Sequence, residues 1–210
     1  IIALVEKIAS ECHEDMFGIE FLGGEPLMAF ENIKIAYEYL EANYAGRVSD
    51  YVITTNGSIL TDEILSFLKE HENVVYAVSM DGTKWANQFR RFKNGKNSFE
   101  VVVENLKTAM KELGEKQVCV HVVTHPFNVG NLFNSIHFLY NLGIRSIGVG
   151  TVESTMDIDD RYCNRFVAEM NLVSQWIILG IFSGLSIDVL EVLKPKNDVR
   201  TYIRDPKTNK

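Results

Sequence analysis

Gly18-Ile19-Glu20-Phe21-Leu22-Gly23-Gly24-Glu25-Pro26-Leu27 is the stretch on which the fold turns. Gly18 to Leu22 reads as a short buried strand, and the two glycines after it let the backbone bend and a ligand come close. Glu25 adds a carboxylate, and Pro26 stiffens the exit. Backbone carbonyls beside a carboxylate suit a cation such as an ammonium. A tight strand-to-helix turn with a solvated glutamate is the competing reading of the same residues.

Working outward, apolar residues at 1, 2, 4, 5, 8, 9, 12 and 16 form a helical stripe, so a helix is expected over about 1–15. Residues 31–45 return to that period, with Ile33, Ala36, Tyr37 and Leu40 on one face. Tyr51 to Thr54 is a β-branched strand. Thr61 can cap the next helix, whose positive end Asp62 and Glu63 favour. Val74 to Ser79 is a strand, and residues 82–97 are a polar loop containing Asn94-Gly95. Ser98 then caps a helix to about 113. Val118 to Thr124 alternates as a strand, followed by a helix at about 129–141, a strand at Ser146 to Gly150, and an apolar helix at about 160–183. Ile187 to Leu193 reads as a further strand or a docking arm within a C-terminal arm, 184–210.

Strands separated by helices require long crossovers and hence a parallel sheet. The expectation is one α/β domain over 1–210, part of a barrel or of a doubly wound sheet, with five strands. Ligands of such folds bind beyond the carboxyl ends of the strands. No linker or sequence repeat divides the chain.

Composition narrows the function classes. The 210 residues are 46% hydrophobic and 23% charged, ordinary for a globular protein with a real core. No apolar run approaches the roughly 20 residues of a membrane span, and the first residues do not form a signal peptide. The apolar helix around Trp176-Ile177-Ile178-Leu179 reads as packing. The net charge of −7 argues against nucleic acid as the main partner. Cys12, Cys119 and Cys163 are scattered, form no disulfide framework and read as buried small hydrophobes. A reducing cytoplasm follows. The chain opens within a helix and ends in a polar tail, so it is expected to be an excised piece of a longer protein.

The residues after each strand hold the chemistry. Thr54-Thr55-Asn56-Gly57 offers hydroxyls and an amide that can orient a polar ligand, or an ordinary Asn-Gly turn. In Ser79-Met80-Asp81-Gly82, Ser79 would aim its hydroxyl at the mouth, and Asp81 would take a hydroxyl pair or hold a neighbouring loop. Arg91 can fork onto a carboxylate or stand solvated.

Taken in order, Phe21 to Leu27, Thr55-Asn56-Gly57, Val78 to Gly82, Arg91 and Lys93 to Phe99 resemble the radical S-adenosylmethionine superfamily. The likeness is to its peptide-modifying branch of anaerobic sulfatase maturases and SPASM-containing enzymes, and it covers residues 1 to about 153. It implies an incomplete parallel (β/α)6 barrel holding strands two to six. It implies that Gly23, Gly24, Glu25 and Pro26 receive the methionine ammonium of S-adenosylmethionine. Thr55, Asn56 and Asp81 would line the same cleft. Ser79 would lie near the ribose and carboxylate, and Arg91 would pair with the carboxylate. Val149, Thr151 and Val152 would lie against the adenine. In the family a 4Fe-4S cluster, fed by an external electron donor, cleaves the cofactor to a 5'-deoxyadenosyl radical that attacks a protein or peptide substrate.

Departures are visible. The family's Cys-x3-Cys-x2-Cys does not occur, so the cluster loop is expected upstream of Ile1 and the SPASM region downstream of Lys210; the piece alone should be inactive. Asn87-Gln88 stands where relatives often have His-Asp. His121 and His125, four apart on a strand and turn, are not spaced for a metal. Met156 to Asp160 is acidic and can hold a general base or start a helix. The strand at 18–22 should form a sheet edge and invite pairing between copies. A non-catalytic S-adenosylmethionine-binding module is the alternative. A phosphate-binding barrel is disfavoured because Glu25 brings the wrong charge to an anion nest.

Overall fold

The computed structural model describes residues 1–152, 158–181 and 188–189. The chain alternates helix and strand: α1 (Ile2–Glu11), β1 (Phe17–Phe21), α2 (Phe30–Asn43), β2 (Val48–Thr55), α3 (Asp62–Glu70), β3 (Val74–Ser79), α4 (Phe99–Leu113), β4 (Val118–Thr124), α5 (Leu132–Asn141), β5 (Ser146–Thr151), α6 (Asp160–Ile181) and β6 (Asp188–Val189). The strands pair in parallel in chain order. The five long ones curl into a half-barrel with flanking helices, the incomplete α/β barrel expected. β6 adds a sixth, two-residue strand against Ser146 and Ile147. Of the segment 184–210, only 188–189 lie within the described residues.

Strand alternation decides which side chains reach the helices. Ile53 of β2, Tyr76 and Val78 of β3, Val120 and Val122 of β4, and Ile147 and Val149 of β5 are buried with Ile33, Tyr37, Leu68, Leu106 and Ile136 in one core. The intervening residues, Glu20, Thr54, Ser79, His121 and Gly148, face the concave side. Glu20 accepts a 2.7 Å hydrogen bond there from the Thr54 hydroxyl. β1 has no strand on its outer side among the described residues, as a sheet edge requires.

Local details depart from expectation for physical reasons. α1 stops at Glu11 rather than near residue 15. Arg47 Nη2 donates to the carbonyls of Cys12 (3.2 Å) and Glu14 (2.8 Å), drawing the chain out of the helix. Thr61 caps α3 as read, its Oγ1 accepting from Ile64 N at 3.3 Å. Ser98 precedes α4, but its hydroxyl donates to the Arg90 carbonyl (3.1 Å), and Asn97 Oδ1 accepts from Phe99 N instead (2.8 Å). Of the cysteines, Cys119 is buried as expected, Cys12 is half-buried, and Cys163 is exposed on α6. Gln117 fastens the start of the sheet, its Nε2 donating to the carbonyls of Leu68, His71 and Val74 at 2.8–3.1 Å.

Candidate functional site

The strand ends of β1 to β5 meet at one mouth of the half-barrel. After β1, Glu25 caps a 3-10 turn, Pro26–Ala29, in which Pro26 occupies the first position without wasting a donor. Glu25 Oε1 accepts from the Thr55 hydroxyl (2.7 Å) and Leu27 N (3.2 Å), and Oε2 accepts from Asn56 N (2.9 Å). The carboxylate therefore ties the β1 exit to the β2 exit. Gly23 and Gly24 stay open: a Cβ at either would meet no heavy atom within 4 Å. Beneath this turn, the Tyr76 hydroxyl is buried without a partner. Burial, and secondarily the Glu25 charge, hold its pKa above the ordinary phenol value.

Two residues read as ligand-facing at β2 have other work. Thr55 is buried on the helix side, its hydroxyl donating to Glu25 and accepting from Gly57 N at 3.1 Å. Asn56 is exposed, but its Oδ1 accepts from Ser58 N at 2.8 Å.

At the β3 exit, Ser79 is half-buried on the concave side, in register with His121 of β4. Asp81 is only 5% exposed. Its Oδ1 accepts from Arg90 Nη2 (2.7 Å) and Val123 N (3.2 Å), and its Oδ2 accepts from Arg90 Nε (2.9 Å). Of its two readings, loop-holding is the one the geometry supplies. Arg90, which the sequence reading did not single out, is the arginine that forks onto Asp81. Arg91 points outward, Nη1 donating to the Gly95 carbonyl at 3.1 Å within a small hairpin closed by the Arg91–Asn97 bridge. Asn87 serves this loop too: its Oδ1 accepts from Asp81 N at 3.1 Å.

β5 turns one expected side chain the other way. Val149 is 3% exposed and packs in the helix-side core, so its side chain faces away from the concave side. Its neighbours Gly148 and Gly150 face the concave side. A Cβ at Gly148 would lie 2.8 Å from His121 Cδ2, so the glycine makes room for that imidazole. The register row Ser79, His121 and Gly148 thus lines the mouth. Only strand parity, applied to β4 and β5 together, could have found it. Thr151 is exposed at the strand end, and Val152 N donates to the Thr124 carbonyl at 2.9 Å. Met156 and Asp157 lie outside the described residues. Asp159 is described, and its Oδ1 accepts from Tyr162 N at 2.9 Å.

His125 sits just past β4, its ring 5.1 Å from that of Phe89. Nδ1 accepts from Phe127 N (3.1 Å), which leaves the neutral ring's proton on Nε2, a buried atom with no partner. Burial lowers its pKa, against the Asp81 charge that raises it; Arg90 adds to the lowering. A depressed histidine binds protons more readily unfolded than folded. Its contribution to stability is therefore complete above the unfolded value of about 6.5 and is lost as pH falls through the folded one. Urea midpoints measured from pH 7.5 to 5 should fall more steeply for the native chain than for His125→Gln. Parallel curves would refute the assignment.

Among the described residues, no group of three or more His, Cys, Asp or Glu could hold a metal. No helix among them is long and apolar enough to cross a membrane.

A family model described as the Radical SAM superfamily matches residues 2–139. An uncharacterised protein of Methanocaldococcus jannaschii is 29% identical over 136 residues, 64% of this chain and 46% of that protein. A serine-type anaerobic sulfatase-maturating enzyme of Bacteroides thetaiotaomicron is 36% identical over 126 residues, 56% of this chain and 30% of the enzyme. The chain thus spans less than half the length of these curated relatives. Among solved structures, anSMEcpe with bound AdoMet superposes with a TM-score of 0.73 at 16% identity, covering 90% of this chain and 51% of that one. SuiB of Streptococcus suis bound to precursor peptide SuiA superposes with a TM-score of 0.54 at 19% identity, covering 75% and 36%. At those identities the structures speak for the fold alone. The family match spans more than half of the 210 residues, and the chain belongs to the radical S-adenosylmethionine superfamily.

Proposed function

We propose that this chain is the core part of a radical S-adenosylmethionine enzyme that modifies a side chain of a protein or peptide. The observation carrying this reading is the open Gly23-Gly24 backbone at the mouth of the concave face that bears Ser79. Because Glu25's oxygens already accept three hydrogen bonds, the backbone of Gly23 and Gly24 would receive the cofactor's ammonium, with Glu25 and Pro26 fixing its shape. Ser79 would hydrogen-bond the ribose or carboxylate. Arg91, held by one bond to Gly95, would reorient toward the carboxylate at small cost. Thr151 and Val152 would border the adenine beside the flat backbone of Gly148 and Gly150. Held by these residues, S-adenosylmethionine would supply radical hydrogen-abstraction chemistry toward the substrate. The peptide class is supported by the sulfatase-maturating relative and by neighbours solved with peptides.

The cysteines do not fit a 4Fe-4S cluster: one is half-buried, one buried and one exposed, and they form no group. On this reading the cluster ligands would come from outside these 210 residues, and the chain alone is expected not to cleave the cofactor. Cys12, Cys119 and Cys163 form no disulfide, which suits a reducing cytoplasm. The same lack of ligands favours, as the second reading, a module that binds the cofactor without redox chemistry.

Calorimetry separates the two. S-adenosylmethionine is titrated into the 210-residue chain and into the longer protein with its cluster reconstituted. Weak binding to the chain is expected, with affinity at least about tenfold higher in the loaded protein and about tenfold lower in its Arg91→Ala variant. Equally tight binding without a cluster would favour the module. Binding by neither form would end the proposal.

A further inference from the structure

An open groove of 1040 Å³ runs between the loop after β4 and the first turns of α6, with Trp85 of the loop after β3 at its edge. One part is apolar: Trp85 and Phe127 are 54% and 61% exposed, unusual for large aromatics, and Pro126 lies beside them. The other part is cationic, carrying Arg161 and Arg165, one helical turn apart.

Arg165 is held in place. Its Nη2 donates to the Gly130 carbonyl at 3.3 Å and lies 3.4 Å from Glu169 Oε1. Glu169 is 6% exposed, and its other oxygen accepts from Phe133 N at 3.1 Å. A Cβ at Gly130 would sit 2.9 Å from Arg165 Nε, so the glycine clears the guanidinium's seat. With that clamp the Arg165 side chain is still 59% exposed. Asp159, the acid in the lining, accepts from Tyr162 N through Oδ1 at the start of α6 and keeps its charge, so with Arg161 and Arg165 the lining carries one net positive charge. A groove that pairs an anchored Arg165 and a neighbouring Arg161 with exposed aromatics, on a chain of net charge −7, favours a complementary ligand.

We infer that this groove docks an acidic stretch of a peptide partner, with carboxylates on Arg161 and Arg165 and an apolar side chain on Trp85 and Phe127. Carboxylates suit the guanidinium fork, and an apolar neighbour in the same ligand is what the aromatic half requires. The inference rests on the peptide-modifying reading and extends it to recognition away from the reacting atoms.

The test uses the 210-residue chain and three labelled twelve-residue peptides of one apolar framework, carrying Glu, Gln or Lys at the polar positions. Binding is followed by anisotropy and by Trp85 emission. The chain has two tryptophans, and Trp176 is packed among the rings of Phe133, His137 and Tyr140. The Glu peptide should bind about tenfold or more tighter than the Lys peptide and shift Trp85 emission to the blue. Arg161→Ala should erase most of that preference; Arg165→Ala would also strip the buried Glu169 of its counter-charge, so Arg161 is the primary variant. Phe127→Ala should weaken the Glu and Gln peptides alike. Equal affinity for the three peptides, no binding, or an unchanged preference in Arg161→Ala would overturn the inference. S-adenosylmethionine affinity measured on the same samples shows whether the cofactor reading stands regardless.

Discussion

Asp81→Ala should destabilise the fold by about 3 kcal/mol, lowering the urea midpoint by about 1.5 M at a slope of about 2 kcal/mol per M. The carboxylate is 5% exposed, and both its oxygens are committed, to Arg90 in a two-point fork and to the amide of Val123. Removing it leaves a partly buried amide without its acceptor and a partly buried guanidinium without a counter-charge. Because the Arg90 side chain is 28% exposed and can turn to water, the loss sits at the low end for a broken buried pair. Asp81→Asn keeps one acceptor oxygen and should cost about half as much. The pair also spans elements: Asp81 leaves β3, Arg90 belongs to the loop before α4, and Val123 belongs to β4. Tryptic cleavage after Arg90, Arg91, Lys93 or Lys96 should therefore quicken in Asp81→Ala under conditions where the native chain stays intact. An unchanged midpoint with unchanged cleavage would show that the fork contributes nothing.

That loop shows where the sequence was legible and where it was not. The order of helices and strands followed from periodicity, because each helix has a stripe and each strand β-branched residues flanked by turn formers. The Gly23 to Pro26 turn was legible because two glycines and a proline leave few backbone choices. What periodicity lacks is the phase of neighbouring strands. Val149 was assigned to the cleft although β5 pairs with β4 so that Gly148, not Val149, faces His121. The loop was harder still. Arg90 and Arg91 are adjacent and chemically identical, and only Asp81, Val123 and the Arg91–Asn97 bridge decide which one turns inward. Thr55 shows a third limit. Its hydroxyl was read correctly as a hydrogen-bonding group at a strand end, but its partner is Glu25, thirty residues away in sequence. Side chains that position one another across the mouth are invisible until the strands are laid side by side.

Gly82→Ala should be the more damaging change, costing about 4 kcal/mol in urea or guanidinium unfolding. Two penalties add. Gly82 has φ +98°, a conformation that costs a residue bearing a Cβ about 1 kcal/mol or more. The new methyl would also lie 2.2 Å from Ser135 Cβ and 2.6 Å from its Cα, so α5 must move off the β3 exit. Ser135 is 1% exposed, and that helix start is already clasped to the same turn by Asn131 Nδ2, which donates to the Thr83 hydroxyl at 2.7 Å. Gly95→Ala separates the penalties. Gly95 has φ +81° but open space where its Cβ would be, so it should lose only the conformational part, about 1 kcal/mol. Adding Ser135→Gly to Gly82→Ala removes the Cβ and hydroxyl but not the Cα, so it should recover only part of the loss. A Gly82→Ala cost no larger than that of Gly95→Ala would mean that α5 yields freely. The β3 exit carrying Ser79 would then be a compliant wall of the cleft; a large cost means that the turn holding Ser79 and Asp81 is rigid before any ligand arrives.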